Sequence, residues 1–84
     1  IDDFDFTLYP NPVRSILTLQ LSRISTSTSI SVTDVLGQEL YPFRKKIRAG
    51  EAKIVLDVSD LSSGIYFMVA ENGSEKTVKR FVKE

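Results

Sequence analysis

The sequence predicts an all-β fold, an immunoglobulin-like β-sandwich of about seven short antiparallel-type strands with Greek-key connections. Three observations lead there. Apolar residues recur with period two through most of the chain, the spacing of a strand with one buried face. Turn-forming residues interrupt these segments at roughly 8–12-residue intervals. No segment sustains helical spacing beyond a turn or two, and there is neither a solenoid-length repeat nor a low-complexity tract. With 84 residues the chain is one domain, 1–84, burying roughly 60% of the surface its unfolded form exposes.

The first alternating segment runs from Ile1 to Tyr9, with Phe4, Phe6 and Leu8 on one face and Asp3, Asp5 and Thr7 on the other. Tyr9-Pro10-Asn11-Pro12 stops it, because two prolines remove two backbone donors and constrain two φ angles. The second strand spans Ser15 to Leu21, with Leu17, Leu19 and Leu21 sharing a face. Ser22 to Ser29 is polar and suits a turn. A third strand begins at Ile30 and ends in a turn over Val35 to Gly37 that the Asp34 side chain can brace. Glu39 to Ile47 contains Pro42 and a basic run from Arg44 to Arg48, which are marks of an edge strand.

After Ala49-Gly50 the chain re-enters with Ile54, Leu56 and Val58 on one face. Asp57, Ser59 and Asp60 can accept bonds from nearby N–H groups, and Leu61 can plug the core beneath a corner. Gly64 permits a positive φ there. The apolar run Gly64 to Ala70 reads as a strand buried on both faces. Tyr66 sits where the tyrosine corner of Greek-key sandwiches places its ring, with the hydroxyl bonding backbone upstream. Asn72-Gly73 is a hairpin signal for a type I′ turn. Glu75 to Glu84 closes the chain, with Val78 and Val82 on one face and Phe81 on the other.

Several functions are disfavoured by composition. The chain has no His and no Cys, hence no side chain titrating near neutrality in its ordinary state and no thiolate nucleophile. No enzyme and no cofactor are expected. Zinc lacks ligands, and neither Asp2, Asp3 and Asp5 nor Asp57 and Asp60 have the spacing of a ligand-rich calcium loop. Eleven basic and eleven acidic residues cancel, removing the field that nucleic-acid or anionic-membrane binding relies on. The cancellation hides an asymmetry: residues 1–43 carry two basic and five acidic side chains, and residues 44–84 carry nine and six. No stretch approaches the ~18 apolar residues of a transmembrane helix, so a soluble domain is expected. No signal peptide opens the chain, which suggests a cytosolic protein or a fragment of a longer one.

Taken together, Leu8-Tyr9-Pro10-Asn11-Pro12-Val13, Leu17-Thr18-Leu19, Val32-Thr33-Asp34 with Gly37, Leu61-Ser62-Ser63-Gly64-Ile65-Tyr66, Gly73 and the terminal Val78-Lys79-Arg80-Phe81-Val82-Lys83-Glu84 resemble a known pattern. They resemble, in order and spacing, the type A C-terminal sorting domain of type IX secretion system cargo proteins in the Bacteroidetes. The resemblance implies a domain that passes through the periplasm and directs its cargo through the outer-membrane translocon to the cell surface or beyond. A surface sortase then removes it, and the cargo is attached to lipopolysaccharide. It implies structural roles for Tyr9, Pro10, Asn11, Pro12, Asp34, Gly37, Leu61, Gly64, Tyr66 and Gly73, and processing near Ile1, Asp2 and Asp3.

The late basic excess suggests recognition on the terminal hairpin, through Lys76, Val78, Lys79, Arg80, Phe81, Val82 and Lys83, with the four cations exposed. The alternative is a carbohydrate-binding or adhesive module of a surface enzyme, using Tyr9, Tyr41 and Phe43 as a stacking platform. A homodimer formed through Val- and Ile-rich edges is a further alternative.

Overall fold

The computed structural model describes residues 5–22, 27–40, 43–48, 53–73 and 75–84. Seven strands form two antiparallel sheets. In chain order they are β1 (Asp5–Tyr9), β2 (Ile16–Ser22), β3 (Thr28–Thr33), β4 (Lys45–Ile47), β5 (Lys53–Asp57), β6 (Gly64–Asn72) and β7 (Glu75–Lys83). One sheet has the order β1-β2-β5 and the other β4-β3-β6-β7. The chain therefore changes sheet between β2 and β3, between β4 and β5, and between β5 and β6. The two sheets face each other, because each strand of an alternating sequence has one apolar side to hide.

The period-two faces meet as expected. Leu17, Leu19 and Leu21 of β2, with Phe6 of β1 and Leu56 of β5, pack against Ile30 and Val32 of β3, Ile47 of β4, Met68 and Ala70 of β6, and Phe81 of β7. Val13 and Val58, just outside strands, complete the buried set. Each such side chain contributes roughly 1.5–3 kcal/mol on burial, so a core of this size supports a small domain with no disulfide.

Three features differ from the expectation. β3 starts at Thr28 rather than Ile30, and Thr28 is fully buried opposite Ile47. A Ser/Thr-rich stretch reads as a turn, but β-branched Thr suits a strand once a partner strand lies alongside. The Gly64–Ala70 run is buried on one face only: Met68 and Ala70 are inside, while Ile65 is exposed and Phe67 and Val69 are half-buried. A second apolar face is tolerated here because the neighbouring strands β3 and β7 shield it laterally. The hairpin closes at Asn72 opposite Glu75, so Gly73, with φ +62°, comes first in the turn rather than second. Within the described part of β1, Phe6 is buried and Leu8 half-buried on the inner face, as the alternation predicts. Phe4, Tyr41, Pro42, Ala49 and Gly50 lie outside the described residues.

The corner between β5 and β6 is built locally. The Asp57 carboxylate accepts from the Ser59 N–H at 3.0 Å and from the Ser59 hydroxyl at 2.6 Å. The Val58 N–H donates to Ser15 O at 2.7 Å and the Leu61 N–H to Val58 O at 3.0 Å. Leu61 packs on the core beneath. Tyr66 donates its hydroxyl to Ser62 O at 2.7 Å, closing the corner from the strand side, and its ring stacks on Phe81 with centroids 5.8 Å apart. Gly64, which starts β6, has φ +154°, a region open to glycine and strained for side chains with a Cβ. A Cβ there meets no atom within 4 Å, so the cost of substitution is one of backbone conformation. Gly64→Val is expected to destabilise the domain by about 1–3 kcal/mol, measured by urea unfolding; an unchanged midpoint would show that the corner relaxes.

Candidate recognition surface

The last strand, β7, combines most of the residues whose pattern pointed to recognition, and its neighbours decide which of them solvent reaches. Side chains alternate across a strand. Thr77, Lys79, Phe81 and Lys83 point inward, and Lys76, Val78, Arg80 and Val82 point out. Phe81 is fully buried and Lys83 only 8% exposed. The exposure expected of Lys83 therefore does not hold: it occupies an inward register position, and its ammonium donates to Glu84 O at 3.0 Å. Phe81 lies in the core, so solvent does not reach it. Lys79 is half-buried, 3.4 Å from the Asp5 carboxylate and 5.8 Å from the centre of the Phe6 ring. It bridges the two sheets at their β1 and β7 edges.

The outward set is different. Lys76, Val78 and Arg80 are exposed and Val82 is half-buried. Their cross-strand partners on β6 are Glu71, Val69, Phe67 and Ile65. The outer face of this hairpin is thus an apolar stripe of Ile65, Phe67, Val69, Val78 and Val82, crossed by Arg80 and ended by the opposed Glu71 and Lys76.

The proline-flanked motif after β1 reaches this strand. Its prolyl bonds, Tyr9-Pro10 and Asn11-Pro12, are cis. Between the prolines the Asn11 side chain lies against the free edge of β7. Its carboxamide accepts from the Val82 N–H at 2.9 Å and donates to Arg80 O at 3.3 Å. Val13 continues the contact with main chain: its N–H donates to Val82 O and its carbonyl accepts from the Glu84 N–H, both at 2.8 Å. The asparagine amide has the donor and acceptor of a peptide group, so it substitutes for one rung of a ladder where proline could offer no N–H. Arg14 adds an exposed ion pair to Glu84 at 2.7 Å, and this partner raises the Arg14 pKa. The motif Tyr9 to Pro12 reads from sequence only as a strand stop; its pairing with a strand some seventy residues later carries no local signal.

The remaining motif residues are held in turns. The Asp34 carboxylate accepts from the N–H groups of Leu36 and Gln38, both at 2.9 Å, and the Gly37 N–H donates to Asp34 O at 3.0 Å. Val35 and Leu36 ride exposed on that turn. On the opposite open side of the sandwich, a groove of about 670 Å³ lies between β5 and the approach to β4, lined by Leu40, Phe43, Val55 and Leu61 among others. Phe43 faces this groove, whereas Tyr9 lies on β1 at the far edge of the first sheet, its hydroxyl 3.3 Å from Gln20. The two do not form one stacking platform. Ile1, Asp2 and Asp3 lie outside the described residues. Among the described residues no three His, Cys, Asp or Glu side chains gather as a metal-binding set, and no helix is long and apolar enough to cross a membrane.

The described strands form a two-sheet sandwich whose last strand is strapped by the segment after the first. The fold is shared: the chain is similar to a protein of the DUF3244 family with an immunoglobulin-like β-sandwich fold from Bacteroides vulgatus, at a TM-score of 0.77 and 19% identity over 98% of this chain and 95% of that one. No curated protein matches the chain. The family model for the secretion system C-terminal sorting domain matches residues 7–84, and the chain belongs to that family, the sorting domains of type IX secretion. Its members carry an address for export toward the cell surface or the extracellular space and engage the secretion machinery.

Two outcomes follow from this geometry. Asn11→Ala leaves Val82 N–H and Arg80 O to water and is expected to cost about 1 kcal/mol, with faster amide exchange at Val82; unchanged exchange would mean the strap does not protect the edge. Glu39 is held below the ordinary carboxylate value of 4.5 by its bond to Arg44, and Asp57 below 3.8 by its bonds to Ser59. Folded-state values lowered in this way give stability that is complete above those ordinary values and lost as pH falls through the folded ones. The melting temperature should decline on acidification, and the Asp57→Ala variant should show a shallower decline; parallel curves would remove Asp57 from the account.

Proposed function

We propose that this chain is the C-terminal unit of a longer secreted precursor, an address rather than a catalyst. It directs a folded cargo from the periplasm through the outer-membrane type IX translocon. The observation that carries the reading is the family match, which runs from within β1 through all the later strands, over residues 7–84. A cell-surface sortase then cuts near Ile1-Asp2-Asp3, and the new cargo terminus is joined to lipopolysaccharide. The domain is thus a substrate of processing. Recognition lies on the terminal hairpin, with Lys76, Val78, Arg80 and Val82 presented outward, Lys79 at the sheet edge, and Phe81 and Lys83 holding the strand in place from inside.

The supporting physical argument is one of accessibility. The nine basic residues of the second half include Lys76 and Arg80 on one exposed face, beside an apolar stripe, and exposed apolar surface rimmed by charge is what interaction sites present. Fusing residues 1–84 to a periplasmic reporter, in a host with type IX secretion, should place the reporter outside the cell. Deleting Val78 to Glu84, or disabling the translocon, should leave it in the periplasm. Export of the unfused reporter, or undiminished export of the truncated fusion, would overturn the reading. Mass spectrometry of the exported reporter tests the rest: a terminus near Ile1 carrying a lipopolysaccharide adduct is expected, and an intact fusion would remove the processing step.

A further inference from the structure

The strap on β7 is incomplete, and the uncovered part has a defined chemistry. In an antiparallel pair, directly opposed residues alternate between those that bond each other and those whose N–H and C=O point away. Val82 points away from β6, because both its groups bond the strap. By the same alternation Arg80, Val78 and Lys76, opposite Phe67, Val69 and Glu71, also turn their backbone groups outward. Arg80 O is taken by Asn11. Among the described residues, the Arg80 N–H and both main-chain groups of Val78 and Lys76 have no protein partner. β7 is the last strand of its sheet, so they form an open ladder edge three outward-bonding residues long, ending where Asn11 begins.

We propose that this edge, Lys76 to Arg80, takes an added β-strand from the export machinery. The incoming segment is extended, at least five residues long, with an apolar residue flanked two positions away on each side by Asp or Glu. The proposal rests on the sorting-domain reading and gives its recognition step a mode. Main-chain bonds to Lys76, Val78 and the Arg80 N–H supply the pairing, as in other cases of strand addition. Specificity comes from side chains directly opposite on the outer face, where opposite charges stabilise and like charges destabilise. An acid opposite Lys76, an apolar residue opposite Val78 and an acid opposite Arg80 satisfy that face. The pattern is symmetric, so it reads the same in either strand direction.

Charge also argues against a second copy of this chain in the register that uses the whole edge. Antiparallel self-pairing centred on Val78 sets Lys76 opposite Arg80 twice, with like charges in direct apposition. The Asn11 strap limits the incoming strand at one end, and the hairpin turn at Gly73 limits it at the other. Lys79 is held toward Asp5 and the Phe6 ring, and among the described residues no main-chain partner occupies the edge between those limits.

The test uses the reporter fusion of residues 1–84. Val78→Pro removes an outward N–H without removing a bond to β6, a position where an edge strand tolerates proline. Lys76→Glu with Arg80→Glu reverses the two flanking charges and leaves the backbone intact, so it serves should the proline variant fail to fold. Circular dichroism and melting establish which variants are folded. For a folded variant, export is expected to fall about tenfold, the loss that accompanies ~1.4 kcal/mol of binding, while the parent fusion is exported. If the folded variants are exported like the parent, the edge is merely charge-protected against aggregation and the strand-addition proposal is overturned while the sorting reading stands. If the parent fusion itself stays in the periplasm, the sorting reading fails. If sedimentation shows a dimer of the parent that Val78→Pro dissolves, the occupant is a second copy and the proposal is overturned.

Discussion

The contact between the Asn11 carboxamide and the main chain of Arg80 and Val82 is the constraint from which much of this structure follows. It joins the connection leaving the first strand to the strand that ends the fold, across 71 positions of sequence. Together with the main-chain bonds of Val13 and the Lys79–Asp5 ion pair it supplies the directional contacts on this side, and it extends the cover of β7 back to Arg80 O. With it, the first and last elements of the sandwich are held together by directional bonds. The prolines on either side suit that role. They carry no N–H of their own, and the side chain between them supplies the donor and acceptor the motif otherwise lacks.

The same contact divides the last strand into two parts with different duties. From Arg80 O onward, β7 is strapped outside and buried inside, with Phe81 stacked on Tyr66 and Tyr66 tied to the corner through Ser62 O. The corner, the last strand and the strap therefore share one packing unit. Before Arg80 the strand is paired on one side only. A sheet edge left open is usually a liability, controlled by charge or shortness. Here Lys76 and Arg80 stand two positions to either side of the exposed Val78, charges of the kind that protect an open edge.

Electrostatics on this surface is local rather than global. The chain is neutral overall, and the ion pairs Arg14–Glu84, Arg44–Glu39 and Lys79–Asp5 lie at the surface and are of modest energetic value. What the charges do is assign positions. Asp34 and Asp57 brace turns through backbone amides, Lys79 spans the two sheets, and Lys76 and Arg80 stay free of the core. A count of basic residues in the second half of the chain does not separate these roles, since Lys79, Arg80 and Lys83 stand close together in sequence while the strand points Arg80 outward and Lys79 and Lys83 inward.

Period-two alternation and turn chemistry were enough to determine the all-β class, about seven strands, the inward Leu17, Leu19 and Leu21 face, and the braced turns at Asp34 and Asp57. These depend on contacts within a few residues, where each side chain's preference acts on its own backbone. Other features needed the assembled fold. The burial of Thr28, Phe81 and Lys83, the single buried face of Gly64 to Ala70, the closure of the hairpin at Asn72 and Glu75, and the seat of Asn11 on β7 all depend on which strands lie alongside. Sheet neighbours are chosen by packing between segments far apart in the chain, so no local stretch encodes them. Local preference thus produced the strands and turns, and tertiary pairing decided which part of the last strand the strap seals and which part is paired on one side only.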